Sequence, residues 1–188
     1  MSSPRIIAGS ARGLRLKSLP GQKTRPITDR VKESLFNIIR DDIPDSTFLD
    51  LFGGIGSVGI EALSRGAKYC QFVEKNPEAV RIIKENLKFT KLEEKANVYL
   101  GDAFHFIRDS QKIFDFVYIA PPQYAGLWEK AIVQVDSITK SFISESGQVI
   151  VQIDPIEEKS ILLDNLVLFD RRKYGSTLLL FFERVTIV

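Results

Sequence analysis

The sequence predicts an α/β fold in which strands and helices alternate around a largely parallel sheet, and three observations carry that reading. Short apolar runs rich in strand formers recur between segments of helical period. A glycine-rich turn follows the first of these runs, and acidic residues close three of them. Carboxyl ends of strands are where α/β proteins gather their ligand-binding groups.

The central stretch is Thr47-Phe48-Leu49-Asp50-Leu51-Phe52, followed by Gly53-Gly54-Ile55-Gly56-Ser57-Val58-Gly59 and then Ile60 to Arg65, which reads as a helix. Such a strand, tight turn and helix opens a nucleotide-binding unit. Glycines there let the backbone approach a ligand, and the free N–H groups of the new helix point into the same space. Gly54-x-Gly56-x-x-Gly59 also satisfies the dinucleotide pattern, so the turn alone does not choose between ligands. Asp50 suits a cationic amino or sulfonium group better than a pyrophosphate. Glu74 closes the next strand, Tyr69 to Glu74, about 20 residues after the glycines, where a carboxylate accepts from ribose hydroxyls. Its alternative role is to cap the helix that begins at Asn76-Pro77.

Upstream, Pro4 to Ala8 and Leu14 to Leu19 flank Gly9-Ser10-Ala11-Arg12-Gly13, the pattern of a short hairpin with a protruding, arginine-bearing tip. Val31, Leu35, Ile38 and Ile39 recur at helical spacing, with Thr28 as N-cap and Pro44 as the stop. Downstream, Pro77 to about Lys91 reads as a helix with Val80, Ile83 and Leu87 as its buried stripe. A third strand, Ala96 to Leu100, leads through Gly101 to Asp102, either an acceptor for an adenine amine or the N-cap of a helix over Ala103 to Ile107. The fourth strand, Phe114 to Ile119, exits through Ala120-Pro121-Pro122-Gln123-Tyr124. Prolines there remove N–H donors and leave carbonyl oxygens free to accept from a ligand. A helix over Trp128 to about Lys140, a strand over Gly147 to Ile153, and a closing hairpin of Asn165 to Lys173 and Thr177 to Val185 complete the chain.

Composition sets the bounds. At 188 residues, 44% hydrophobic and 27% charged, the chain suffices for one well-packed domain: an N-terminal hairpin and helix over 1–43 and an α/β core over 44–188. No apolar run reaches the roughly 20 residues of a membrane span, the N-terminus does not read as a signal peptide, and one cysteine, Cys70, fits a reducing cytoplasm. The lone His105 has no partner pattern, so no metal is expected. Net charge is +2, yet residues 1–32 hold eight basic residues against the single Asp29, leaving 18 basic and 23 acidic residues elsewhere. Arg5, Arg12, Arg15, Arg25, Arg30 and Lys32 are therefore the candidate contacts to an anionic partner, with a merely solvated arm as the alternative.

Taken together the residues resemble the class I methyltransferases that use S-adenosylmethionine, and more closely the RsmD family, which methylates a guanine N2 in small-subunit ribosomal RNA. The resemblance rests on Arg5-Ile6-Ile7-Ala8-Gly9, Arg12-Gly13, Arg25-Pro26 with Thr28 to Glu33, Leu35-Phe36-Asn37, and Leu49 to Gly56 continuing through Gly59 to Ala67. It implies a Rossmann-like sheet of seven strands, mostly parallel, with the last antiparallel. It also implies that Asp50, Gly53, Gly54 and Gly56 surround the methionine part of the cofactor, Glu74 the ribose, and Asp102 with Ala103 the adenine, with Phe52 a further cofactor contact. Ala120, Pro121, Pro122, Gln123 and Tyr124 would form the catalytic loop, and the partner would be small-subunit rRNA or the assembling subunit. In that family the fourth strand normally ends Asp-Pro-Pro followed by Phe or Tyr. This chain departs from the pattern with Ala120 in the acidic place, Gln123 in the aromatic one, and Tyr124 one residue later. Weak or absent turnover in a protein that still binds cofactor and RNA is one alternative, and an amino-methyltransferase acting on DNA is another.

Overall fold

A computed structural model describes residues 3–19 and 27–185. Among them the elements run α1 (Asp29–Ile38), β1 (Thr47–Asp50), α2 (Ser57–Ser64), β2 (Tyr69–Glu74), α3 (Pro77–Thr90), β3 (Ala96–Leu100), α4 (Ala103–Asp109), β4 (Phe114–Ile119), α5 (Leu127–Ser137), α6 (Thr139–Phe142), β5 (Ile143–Ile153), β6 (Leu166–Tyr174) and β7 (Thr177–Arg184). The strands form one seven-stranded sheet in the order β3-β2-β1-β4-β5-β7-β6. Only β7 is antiparallel to its neighbours. This is the Rossmann-like architecture that the sequence predicts.

Side-chain alternation explains the layers. Phe48, Phe72, Phe116, Tyr118 and Ile150 point to one face, where they pack with α1, α2 and α3. Leu49, Val73, Val117, Val149 and Val151 point to the other, against α4, α5 and α6. Both faces of the central strands are therefore apolar, as a buried parallel sheet requires. Strand order reverses between β1 and β4, and that reversal leaves a crevice beyond their carboxyl ends.

Thr28 caps α1 as expected, its hydroxyl accepting from the Val31 N–H at 3.3 Å. Pro44 does not end that helix. The α-helix stops at Ile38, and a 3₁₀ turn over Arg40–Asp42 follows, because Ile39 and Ile43 are both buried and draw the chain out of the helical path. β5 begins at Ile143 rather than Gly147. A register shift between Phe114 and Phe116 of β4 accommodates the earlier start.

The N-terminal segment is a hairpin reduced to one bridge, Arg5 with Arg15, and its tip does not protrude. It lies on α2: the Ser10 N–H donates to the Ser64 carbonyl at 2.8 Å, and the Ser64 hydroxyl donates to the Ala8 carbonyl at 2.6 Å. A Cβ on Gly9 would sit 1.7 Å from the Ser64 carbonyl oxygen, so only glycine permits this approach. Beside the contact, the fully buried Glu61 carboxylate accepts from the Ile7 and Ala8 N–H groups at 2.8 and 3.0 Å. It also pairs with Lys32 at 3.3 Å and Arg65 at 2.8 Å. One carboxylate thus joins the N-terminal segment, α1 and α2.

Candidate active site

The crevice at the sheet reversal is a cavity of about 520 Å³, within the range of small-molecule sites. Its floor is the glycine turn. The Gly53 N–H donates to the Val73 carbonyl at 2.9 Å, and Gly56, at φ 81°, sits immediately before the first residue of α2. Gly59 lies so close to β2 that a Cβ would meet the Phe72 ring at 2.3 Å. Such contact seats α2 directly against β2.

Phe52, Gly54, Glu74, Asp102, Ala103, Ala120, Pro121, Pro122, Gln123 and Tyr124 all line the cavity. Glu74 ends β2 with both oxygens already ordered: Oε2 accepts from the Gly54 N–H and Oε1 from the Asn76 N–H, each at 2.8 Å. A carboxylate oxygen has a second lone pair, so Glu74 retains capacity for two hydroxyl donors. Asp102 caps α4, its Oδ1 accepting from the Phe104 and His105 N–H groups at 2.9 and 3.2 Å. Between these carboxylates, Phe52 and Phe104 meet edge to face at 6.3 Å and supply an apolar wall suited to a planar base. Among the described residues no group of three or more His, Cys, Asp or Glu side chains is placed to hold a metal ion.

Asp50, Gly53 and Gly56 shape this wall from beneath and are not part of it. Asp50 is 2% exposed and accepts from the Gly59 N–H at 3.0 Å, tying β1 to α2. Burial pushes its pKa up to about 7, the Gly59 N–H opposes that rise, and the charge of Glu74 adds to it. An unfolded aspartate titrates near pH 4, so between about pH 4 and 7 the native state holds a proton that the unfolded chain has lost. Stability contributed by this group is therefore present below pH 4 and lost as pH rises through 7, by up to about 4 kcal/mol. Asp50→Asn keeps an acceptor for Gly59 and removes the titration. The difference in unfolding free energy between variant and wild type, from urea melts at pH 4 and pH 8, is expected to swing toward the variant at the higher pH. Equal differences at both pH values would contradict this account of Asp50.

On the far side of the cavity, β4 delivers the proline pair. Pro121 is buried, whereas Gln123 and Tyr124 are exposed. Tyr124 occupies the left-handed region at φ 61°, which is uncommon for a bulky residue and needs external support. The support is visible: its N–H donates to Glu157 Oε1 at 2.7 Å, and its hydroxyl donates to Asp154 Oδ2 at 2.9 Å. Leu127 and Gln152 also line the cavity, although neither stands in a recognisable motif.

The basic candidates separate. Arg5, Arg12 and Arg30 line a second, surface hollow together with Asp29 and Glu33. Arg5 is 3.5 Å from Asp29, while Arg12 and Arg30 are exposed and have no carboxylate partner among the described residues. Arg15 is exposed and donates to the Ser3 carbonyl at 3.4 Å. Arg25 lies outside the described residues. Lys32 requires a correction: its side chain is wholly buried, and its ammonium donates to the Arg5 carbonyl at 2.7 Å and to the Ser57 hydroxyl at 3.3 Å. Such an ammonium cannot reach a phosphate. Burial lowers its pKa, and Glu61 opposes the fall.

A seven-stranded sheet of this order, with β7 alone running against the others and a crevice at the strand reversal, is the class I methyltransferase fold. Residues 4–183 match the model of a family described as conserved hypothetical protein 95, and the chain belongs to that family, which includes the RsmD methyltransferases. It is 35% identical over 176 residues to the "Putative rRNA methyltransferase YlbH" of Bacillus subtilis, covering 92% of this chain and 95% of that protein. It is 42% identical over 131 residues to the ribosomal RNA small subunit methyltransferase D of Haemophilus influenzae, covering 68% of each. Among solved structures, "Putative methyltransferase yhhF from Escherichia coli" superposes with a TM-score of 0.84 at 29% identity, covering 96% of this chain and 97% of the other.

Proposed function

We propose that this chain, acting as one catalytic unit with its N-terminal extension, transfers a methyl group from S-adenosylmethionine to a guanine N2 amine in small-subunit ribosomal RNA. One observation carries the proposal. Glu74 and Asp102 share a single continuous cavity with the Pro121-Pro122 turn, so a nucleoside-bearing donor and a nucleobase acceptor have adjoining places. The relatives' names support RNA as the substrate class.

The residues present fit the donor. Glu74 would hold the ribose with its spare lone pairs, Asp102 and Ala103 would border the adenine, and the Phe52 and Phe104 rings would pack on its apolar surface. Gly54, at φ 55°, keeps the turn free of a side chain beside the donor. When bound, the donor supplies an electrophilic methyl: the amine lone pair forms the N–C bond, the C–S bond breaks with its electrons left on sulfur, and the nitrogen releases a proton to water.

The acceptor side must overcome a specific difficulty. A guanine N2 lone pair is delocalised into the ring and becomes nucleophilic only when acceptors hold the amino hydrogens and turn it toward the methyl. Carbonyls at the proline pair supply one such acceptor. Tyr124, pinned at its N–H and its hydroxyl, offers an exposed ring on which an extruded base stacks. Arg5, Arg12 and Arg30 would bind the phosphates of the surrounding RNA, with affinity that falls as salt rises.

The test is transfer of labelled methyl from S-adenosylmethionine to small subunits, or to their rRNA, lacking the modification. Incorporation into RNA above a heat-denatured control is expected. No incorporation into either substrate, or preferential labelling of DNA, would overturn the proposal.

A further inference from the structure

We infer that Gln152 is the side chain that orients the target amine, a deduction that rests on the transfer reaction proposed above. Ala120 has no polar side-chain atom, so a side-chain acceptor for the amine comes from Gln123 further along the loop or from a neighbouring strand. The register of β4 with β5 pairs Tyr118 with Ile150 and Ile119 with Val151, which sets Ala120 opposite Gln152 one step further on. Alternation places Tyr118, Ala120 and Gln152 on the same face of the sheet. Gln152 also lines the cavity.

Its carboxamide is ordered in advance. The Tyr118 hydroxyl donates to Gln152 Oε1 at 2.6 Å, and Tyr118 is 3% exposed. Burial raises the pKa of that phenol well above its ordinary value, so it remains a donor. One lone pair of Oε1 is therefore taken, and the other is available. Nε2 carries two N–H donors with no partner among the described residues.

A carboxamide presents an acceptor beside a donor. That pair matches a base edge on which an amino group adjoins a ring nitrogen, as guanine N2 adjoins N3. In this arrangement Oε1 accepts one amino hydrogen, Nε2 donates to the ring nitrogen, and a carbonyl at the proline pair takes the second hydrogen. Of the other polar groups in the wall, Glu74 is committed to Gly54 and Asn76, and Asp102 to the cap of α4. Gln123 also lines the cavity, but it is exposed and no hydrogen bond among the described residues fixes its carboxamide, whereas Gln152 is held by Tyr118. Tyr118 is then a positioning residue acting through Gln152.

The test uses the full chain as wild type, Gln152→Ala, Tyr118→Phe and the double variant Ala120→Asp/Gln152→Ala. Two quantities are measured: labelled methyl transfer to undermethylated small-subunit rRNA, and affinity for guanosine and inosine monophosphates in the presence of S-adenosylhomocysteine. Inosine lacks the amino group and keeps the ring nitrogen. Wild type is expected to prefer the guanosine nucleotide by about tenfold. Gln152→Ala should abolish that preference and lower transfer by about 100-fold. Its affinity for S-adenosylhomocysteine should remain unchanged. Tyr118→Phe should weaken the preference without abolishing it, and the double variant should regain at least about tenfold in transfer, because an acid at position 120 restores an acceptor. A preference that survives in Gln152→Ala, or is missing from wild type, overturns the inference even if rRNA is methylated. A Gln152-dependent preference without methyl transfer to rRNA upholds it and refutes the proposed reaction instead.

Discussion

Glu61→Ala is expected to lower the unfolding free energy by about 3–5 kcal/mol, the largest stability loss of any single side-chain truncation argued for this protein. The carboxylate is fully buried and accepts from two backbone N–H groups while pairing with two cations. Its removal leaves the Lys32 ammonium buried without a counter-charge and the Ile7 and Ala8 N–H groups without acceptors. Desolvation, already the dominant influence on Lys32, then acts unopposed by Glu61. For a chain of this size the midpoint of thermal unfolding should fall by about 10 °C or more. Lys32→Met combined with Glu61→Leu should lose less, since no buried ammonium is stranded, while the unpaired Ile7 and Ala8 N–H groups and Arg65, left without its carboxylate, keep part of the loss. Urea melts of the three proteins measure both effects. Equal losses in the single and paired variants would show that the stranded Lys32 ammonium is not the source of the loss.

Glu74→Ala is expected to weaken S-adenosylmethionine binding by about 100-fold or more, because two hydroxyl bonds to a charged acceptor contribute about 1.5–3 kcal/mol each. Part of the loss comes from the protein itself. Glu74 Oε2 fixes the Gly54 N–H and Oε1 fixes the Asn76 N–H, so truncation also loosens the turn beneath the donor. Titration calorimetry separates the two contributions. Glu74→Gln keeps one acceptor oxygen and adds donors, and its affinity should fall between those of Glu74→Ala and wild type. Unchanged affinity in Glu74→Ala would remove the ribose role.

The sheet was legible because its central strands are apolar on both faces and are closed by abrupt chemistry. β2, β3 and β4 run between the residues that the pattern of apolar runs indicates. Glycines and prolines mark the turns by restricting or freeing the backbone, so the floor and mouth of the cavity could be placed before any geometry was known. What was not legible depends on partners distant in sequence. Glu61 looks like an ordinary helical acid until Ile7 and Ala8, more than 50 residues away, donate to it. Lys32 falls on an amphipathic helix at a position that reads as solvated, yet it faces Glu61. Asp50 stands where a ligand contact is expected, but a neighbouring N–H claims its carboxylate. Gln152 carries no motif, and only strand register sets it beside Ala120. Asp154 had a usable signal, an acid just after the fifth strand, matching the position of Glu74 at the end of the second.

The central claim is that donor and guanine meet in this one cavity and that a methyl group passes between them. Mass-spectrometric mapping of modified guanosines in small-subunit rRNA from cells with and without this protein tests it most directly. The account predicts a single guanosine bearing an N2-methyl group in the first sample and an unmodified guanosine at that position in the second. Identical maps from the two samples would contradict it.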